Sequence, residues 1–282
     1  PPIRAFIERY LGWVALALGL SVIQVVALAW RWRFTARRLQ VELSFAEAWR
    51  EYYLSIFLNQ VLPGGVMGDV SRAWRQARTR APTEPDSASG PAARAVIFER
   101  LSAQAVMTTV ALASLLVLPA MVGRRSGTLL FATVAAATVI VVAIVIWVRQ
   151  QSSADSLTGR VFAELASAHL SPSVFAIQFS SGVFIVGTYL ATYVAAARAV
   201  GVETPLLVIL PLVAPVLMTM LIPVTVAGWG LRESAAALLW GAVGLTAADG
   251  VTVSVAYGLI VFVGSLPGAA VLAMGRRGTG GT

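Results

Sequence analysis

Long stretches of this chain carry no charged residue. Six such runs, 11–30, 101–123, 126–148, 170–197, 204–231 and 250–275, each hold 20 residues or more, and about 20 apolar residues cross the hydrocarbon of a bilayer. The pattern predicts an all-α fold: a polytopic bundle of transmembrane helices forming one integral membrane domain over 1–282.

The arginines between the runs orient the bundle, because short cytoplasmic loops collect basic residues. Arg31, Arg33, Arg37, Arg38 and Arg50 follow the first run, and Arg72, Arg75, Arg78, Arg80, Arg94 and Arg100 come next. With both clusters on the cytoplasmic side, Ala46 to Arg72 enters and leaves by the same face. Its uncharged part, Tyr52 to Pro63, has only twelve residues, short for a span and suited to a re-entrant helical hairpin. Alternation of the later runs leaves fifteen arginines inside, five outside and Arg232 between helices, which predicts N-out and C-in. The region 204–248 must then also start and finish on one side. Its prolines, Pro205, Pro211, Pro215 and Pro223, followed by Gly228 and Gly230, break the backbone ladder, as expected of a second re-entrant hairpin.

The two expected tips share a pattern. Pro63-Gly64-Gly65-Val66-Met67-Gly68-Asp69-Val70-Ser71-Arg72 and Pro223-Val224-Thr225-Val226-Ala227-Gly228-Trp229-Gly230-Leu231-Arg232 both fit P-x4-G-x3-R, and each copy lies between two full-length runs. This is the outline of an inverted repeat, with a first half of about 1–125 and an inverted second half of about 170–277, joined by the 126–148 helix. A helix that restarts after such a break presents free N–H groups and the positive end of its dipole to a cavity. Arg72 and Arg232 would add full charges one turn on, so an anion, most simply a lipid phosphate, is expected between them.

Buried charge is costly here. Asp69, Arg72, Glu99, Arg100, Arg232 and Glu233, unpaired in lipid, would cost on the order of 15–20 kcal/mol together. They must pair or face a wet cavity. Asp69 and Arg72 are spaced to pair along one helical face, and Glu99 and Arg100 can reach back to the first hairpin. Asn59, beside Gln60 just before the break, is a candidate cap for the broken backbone. Arg75, Arg78 and Arg80 read as topology anchors, and His169 as a structural loop residue. Gly264-x3-Gly268 is a helix-packing pattern, the one feature that points to a homodimer.

Composition narrows the chemistry. The chain is 58% hydrophobic and 12% charged, with a mean hydropathy of +0.80, which excludes a soluble enzyme. It has no Cys and one His, so thiolate, haem and His-pair metal sites lack ligands, and no cofactor or metal is expected. All 21 basic residues are arginines, giving a net charge of +8; a GC-rich coding sequence accounts for the missing lysines, and nucleic acid is not an expected partner. The opening Pro1-Pro2-Ile3-Arg4 has no initiator Met, and a preceding helix is expected to be missing.

Phe57-Leu58-Asn59-Gln60-Val61-Leu62-Pro63-Gly64-Gly65 with Gly68-Asp69-Val70-Ser71-Arg72, the earlier Ala29-Trp30-Arg31-Trp32-Arg33, and the later Gly228-Trp229-Gly230-Leu231-Arg232-Glu233 resemble the membrane domain of the lysylphosphatidylglycerol synthase/flippase family. The likeness runs from about Leu11 to Arg277. It implies a lipid flippase in a bacterial cytoplasmic membrane, moving an anionic or aminoacylated phospholipid or a related lipid-linked substrate such as a polyprenyl phosphate. Bifunctional members add a soluble aminoacyl-transferase domain. None follows before Thr282, so no synthase activity is expected of this chain. The candidate substrate-binding residues are Asn59, Pro63, Gly64, Gly65, Gly68, Asp69, Arg72, Glu99, Arg100, Gly228, Gly230, Arg232 and Glu233. The alternative is an intramembrane enzyme acting on a lipid-linked substrate, for example by glycosyl or phosphate-ester transfer, with Asp69, Glu99 or Glu233 as base.

Overall fold

The computed structural model describes residues 3–79, 89–122, 164–166, 171–222 and 225–277. The helix expected over 126–148, His169 and Pro223 lie outside them. Every named element among the described residues is helical. In chain order they are α1 (Ile3–Arg38), α2 (Phe45–Val61), α3 (Met67–Thr79), α4 (Ser89–Val122), α5 (Pro172–Ala199), α6 (Leu206–Met218), a single 3₁₀ turn (Thr219–Leu221), α7 (Leu231–Ala242), α8 (Ala247–Ser265) and α9 (Pro267–Arg277).

Four stretches, Tyr10–Arg38, Gly90–Ser114, Pro172–Ala199 and Ala247–Met274, are long and apolar enough to cross a membrane. They belong to α1, α4, α5 and α8 with α9. Their outward faces carry exposed Leu16, Ile23, Phe179, Phe184, Leu259 and Val263. Apolar side chains facing outward along such long helices are at home in lipid, where burying them against protein gains nothing.

The helix ends follow local rules. Gln40 takes a left-handed conformation (φ 57°) and Val41 N–H returns to Ala36 C=O at 2.9 Å, closing α1. Ser44 caps α2 by accepting from Glu47 N–H at 3.1 Å, and Thr246 caps α8 by accepting from Asp249 N–H at 3.2 Å. Pro172 opens α5 at a position where no N–H is missed.

Two helix–break–helix units stand between the long helices. In the first, α2 stops before Leu62-Pro63 and α3 starts at Met67; in the second, α6, with Pro211 and Pro215 inside it, stops before the 3₁₀ turn and α7 starts at Leu231. The packing repeats with the sequence. Exchanging α1, α2, α3 and α4 with α5, α6, α7 and α8 maps the helix contacts onto themselves. Thus α3 packs on α4 as α7 does on α8, α4 on α6 as α8 does on α2, and α1 on α5. Each unit has its own apolar core. One is built around Trp32, Tyr52, Phe98 and Ile185, the other around Tyr193, Leu212, Trp240 and Tyr257.

Gly264 and Gly268 serve this packing. A Cβ on Gly264 would come within 3.3 Å of Ser21 Cβ on α1, and one on Gly268 would strike the Tyr53 carbonyl on α2. The pattern that suggested a homodimer therefore fits helices of the same chain together.

Candidate functional site

The two breaks meet. Pro63 and Val226 form an antiparallel bridge, and Gly64 N–H donates to Thr225 C=O at 3.1 Å. A break exposes backbone groups that lipid cannot satisfy, and here each tip supplies partners for the other. Asn59 does the same within the first unit, its Oδ1 accepting from Gly68 N–H at 2.7 Å.

Behind the first tip lies a buried charge cluster. Arg72 is fully buried and its Nη2 donates to Asp69 Oδ1 at 3.1 Å and to Glu99 Oε2 at 3.3 Å. The Tyr52 hydroxyl donates to Glu99 Oε2 at 2.5 Å. Asp69 also accepts from Ser55 Oγ and Asn59 Nδ2, each at 3.1 Å, and Arg100 Nη1 stands 3.7 Å from its Oδ2. The Arg72 guanidinium lies 4.5 Å from the ring centre of Trp32 and 4.0 Å from that of Tyr52. Helices α1, α2, α3 and α4 all contribute, so this cluster fixes the first tip against two long helices.

The second tip has a counterpart. Arg232, also buried, reaches Glu233 Oε1 at 2.7 Å through Nη2 and Ser254 Oγ at 2.9 Å through Nε, and Ser254 donates on to Glu233 at 3.1 Å. Glu233 Oε2 accepts from Gly230 N–H at 2.6 Å. Trp229 and Tyr257 lie beside the Arg232 guanidinium at 5.1 and 5.5 Å. Each repeat arginine thus sits by a carboxylate, a Trp and a Tyr.

Between the two units is a cavity of about 160 Å³. Of the expected site residues, Asn59, Gly65, Glu99 and Arg100 line it. Pro63 and Gly64 make the tip contact; Gly68 lets α3 approach Ser55, and Gly228 lies on Met220. Arg72 and Arg232 do not line the cavity. Each reaches it through neighbours that do, Glu99 for Arg72, and Tyr257 and Met220 for Arg232. The two arginines expected to grip a ligand instead build the walls.

Several lining residues were not anticipated. Arg31 is fully buried on α1, although its position beside Arg33, Arg37 and Arg38 reads as a loop anchor. Gln24 and Leu28 line the cavity with it, and Thr35 continues the same face, accepting from Gln178 Nε2 at 2.9 Å. The spacing 24, 28, 31, 35 is a helical stripe that marks this face as inward. Tyr189 on α5 also lines the cavity.

A family model described as the lysylphosphatidylglycerol synthase TM region matches residues 2–268. The chain belongs to that family. Neither a curated protein nor a solved structure matches it. Family membership and the four long apolar helices make this an integral membrane protein with a membrane lipid-related function.

Proposed function

We propose that this domain is a lipid transporter that passes an anionic or aminoacylated phospholipid, or a related lipid-linked substrate, across a bacterial cytoplasmic membrane. The observation that carries the reading is the cavity itself. It combines Arg100 and neutral amides with apolar side chains such as Leu28, Ile56 and Leu217, and it abuts the place where the two tips meet. A polar wall takes a head group while tails remain in lipid, and a contact between two short hairpins can open without unfolding a span. In this reading the two hairpins are re-entrant from opposite faces, so parting them alternately exposes the cavity to either leaflet. The carboxylates of the tips are engaged by arginines, which favours movement of the lipid over a chemical change in it.

The test uses purified protein in liposomes with head-group-labelled phosphatidylglycerol, its lysyl form and a polyprenyl phosphate, and follows leaflet exchange by dithionite quenching. Exchange of one lipid class, slowed at least ten-fold by Arg100→Gln, is expected. Exchange no faster than in empty liposomes would remove the transport reading.

A further inference from the structure

Among the described residues, nothing in direct contact with Arg31 balances its charge. Its Nε donates to Gln178 Oε1 at 3.1 Å and its Nη2 to Ser102 Oγ at 2.7 Å, both neutral groups. Nη1 is buried and has no partner, and among the described residues no carboxylate pairs with Arg31. Arginine cannot shed its proton to escape this, and a buried charge without a counterion is strongly unfavourable.

Among the described residues, the neighbourhood does not compensate. Arg31, Arg72 and Arg100 face two carboxylates, Asp69 and Glu99, so the cluster holds one excess positive charge. Arg232 and Glu233 balance each other in the second unit. The excess lies at the cavity wall. Gly182, another lining residue, packs beside the unpartnered nitrogen: a Cβ there would stand 3.4 Å from Nη1 and 2.7 Å from Val106 Cγ2. A guanidinium with an unpartnered nitrogen can take up the oxygens of a phosphate.

Resting on the transport reading above, we propose that the cavity takes a singly charged phosphodiester, docked by its oxygens on Nη1 of Arg31 and turned toward Arg100. The single negative charge neutralises the excess positive one. A lipid with a net positive head group would add to the excess, and a phosphomonoester would overshoot it. The apolar part of the wall makes a lipid diester the better source than a soluble one.

The experiment follows thermal unfolding of the full chain in detergent by its tryptophan fluorescence, with dihexanoyl phosphatidylglycerol, its dihexanoyl phosphatidylcholine and phosphatidic acid analogues, and chainless glycerophosphoglycerol. Phosphatidylglycerol is expected to raise the midpoint in a concentration-dependent way, and the zwitterionic lipid not to. Arg31→Gln should weaken that response at least ten-fold while unfolding, without lipid, at or above the wild-type temperature. A merely structural arginine would lower it. Gly182→Ala, which keeps the charge and crowds Nη1, should also weaken binding and serves if Arg31→Gln does not fold. An equal response to glycerophosphoglycerol would support the diester site and assign a soluble source. Equal responses to phosphatidylglycerol and phosphatidylcholine, a stronger response to phosphatidic acid, or undiminished binding by Arg31→Gln would overturn the proposal. The two readings separate: wild-type leaflet exchange by Arg31→Gln removes this site and leaves transport, whereas Arg31-dependent binding without any exchange removes transport and leaves the site.

Discussion

Tyr52 donates its hydroxyl to Glu99 at 2.5 Å while its ring lies 4.0 Å from the guanidinium that pairs with the same carboxylate. One side chain therefore holds both members of a buried ion pair. Taking away Arg72 strands Glu99, at a cost of about 3–5 kcal/mol, whereas taking away Glu99 leaves Arg72 paired with Asp69 at 3.1 Å. Arg72→Met is expected to lower stability by that amount in denaturant unfolding, and Glu99→Gln by less, because Arg72 keeps Asp69. The double variant should lose much less than the sum, because no stranded charge remains between them. Tyr52→Phe keeps the ring and removes one hydrogen bond to a charge, about 1.5–3 kcal/mol. Additive losses in the double variant would show that the pair is not coupled.

The glycines of the repeated motif are required for different reasons. At Gly68 a Cβ would strike the Ser55 carbonyl of the neighbouring helix. At Gly228 the backbone has φ +79° and a Cβ would come 2.7 Å from Met220 Cγ. Gly68→Ala and Gly228→Ala are both expected to destabilise by about 1–3 kcal/mol or more, through overpacking and through strain. Gly187 on α5 has nothing within 4 Å of its Cβ position. Gly187→Ala should be neutral or stabilising by up to about 1 kcal/mol. Thermal unfolding of the three variants side by side checks the order.

Arg100 should separate function from stability. Its side chain is 40% exposed, while that of Arg72 is fully buried, and it lines the cavity. Exposed enough to keep water when unpaired, it adds little to the fold. Arg100→Gln is expected to unfold within about 1 kcal/mol of wild type yet to slow lipid exchange at least ten-fold, with Arg100→Lys in between. Exchange and stability falling together would instead make it a structural residue.

The long helices and the charge cluster of the first tip were legible because they are local: charge-free runs give the spans, and Asp69, Arg72, Glu99 and Arg100 are conspicuous among apolar neighbours. The pairing of Asp69 with Arg72 and the reach of Glu99 back to the first hairpin follow from spacing, and both are present. Arg31 was hidden because α1 runs on to Arg38, six residues beyond Trp32, so a residue placed by charge in a loop is inside the bundle. Ser102, Gln178 and Ser254 are single polar residues within apolar runs, and only the fold shows that they meet arginines. The tip contact was out of reach of spacing altogether, since 163 positions separate Pro63 from Val226.

That contact gives the most direct test of the central claim, that the cavity conducts lipid by parting the tips. The chain has no cysteine, so Pro63→Cys with Val226→Cys introduces a single pair, at bridge positions whose spacing of about 4.5–5.5 Å suits a disulfide. Leaflet exchange is measured in one preparation of liposomes, oxidised and then reduced. Exchange should stop on oxidation and return on reduction. Full exchange through the cross-linked protein would contradict the account.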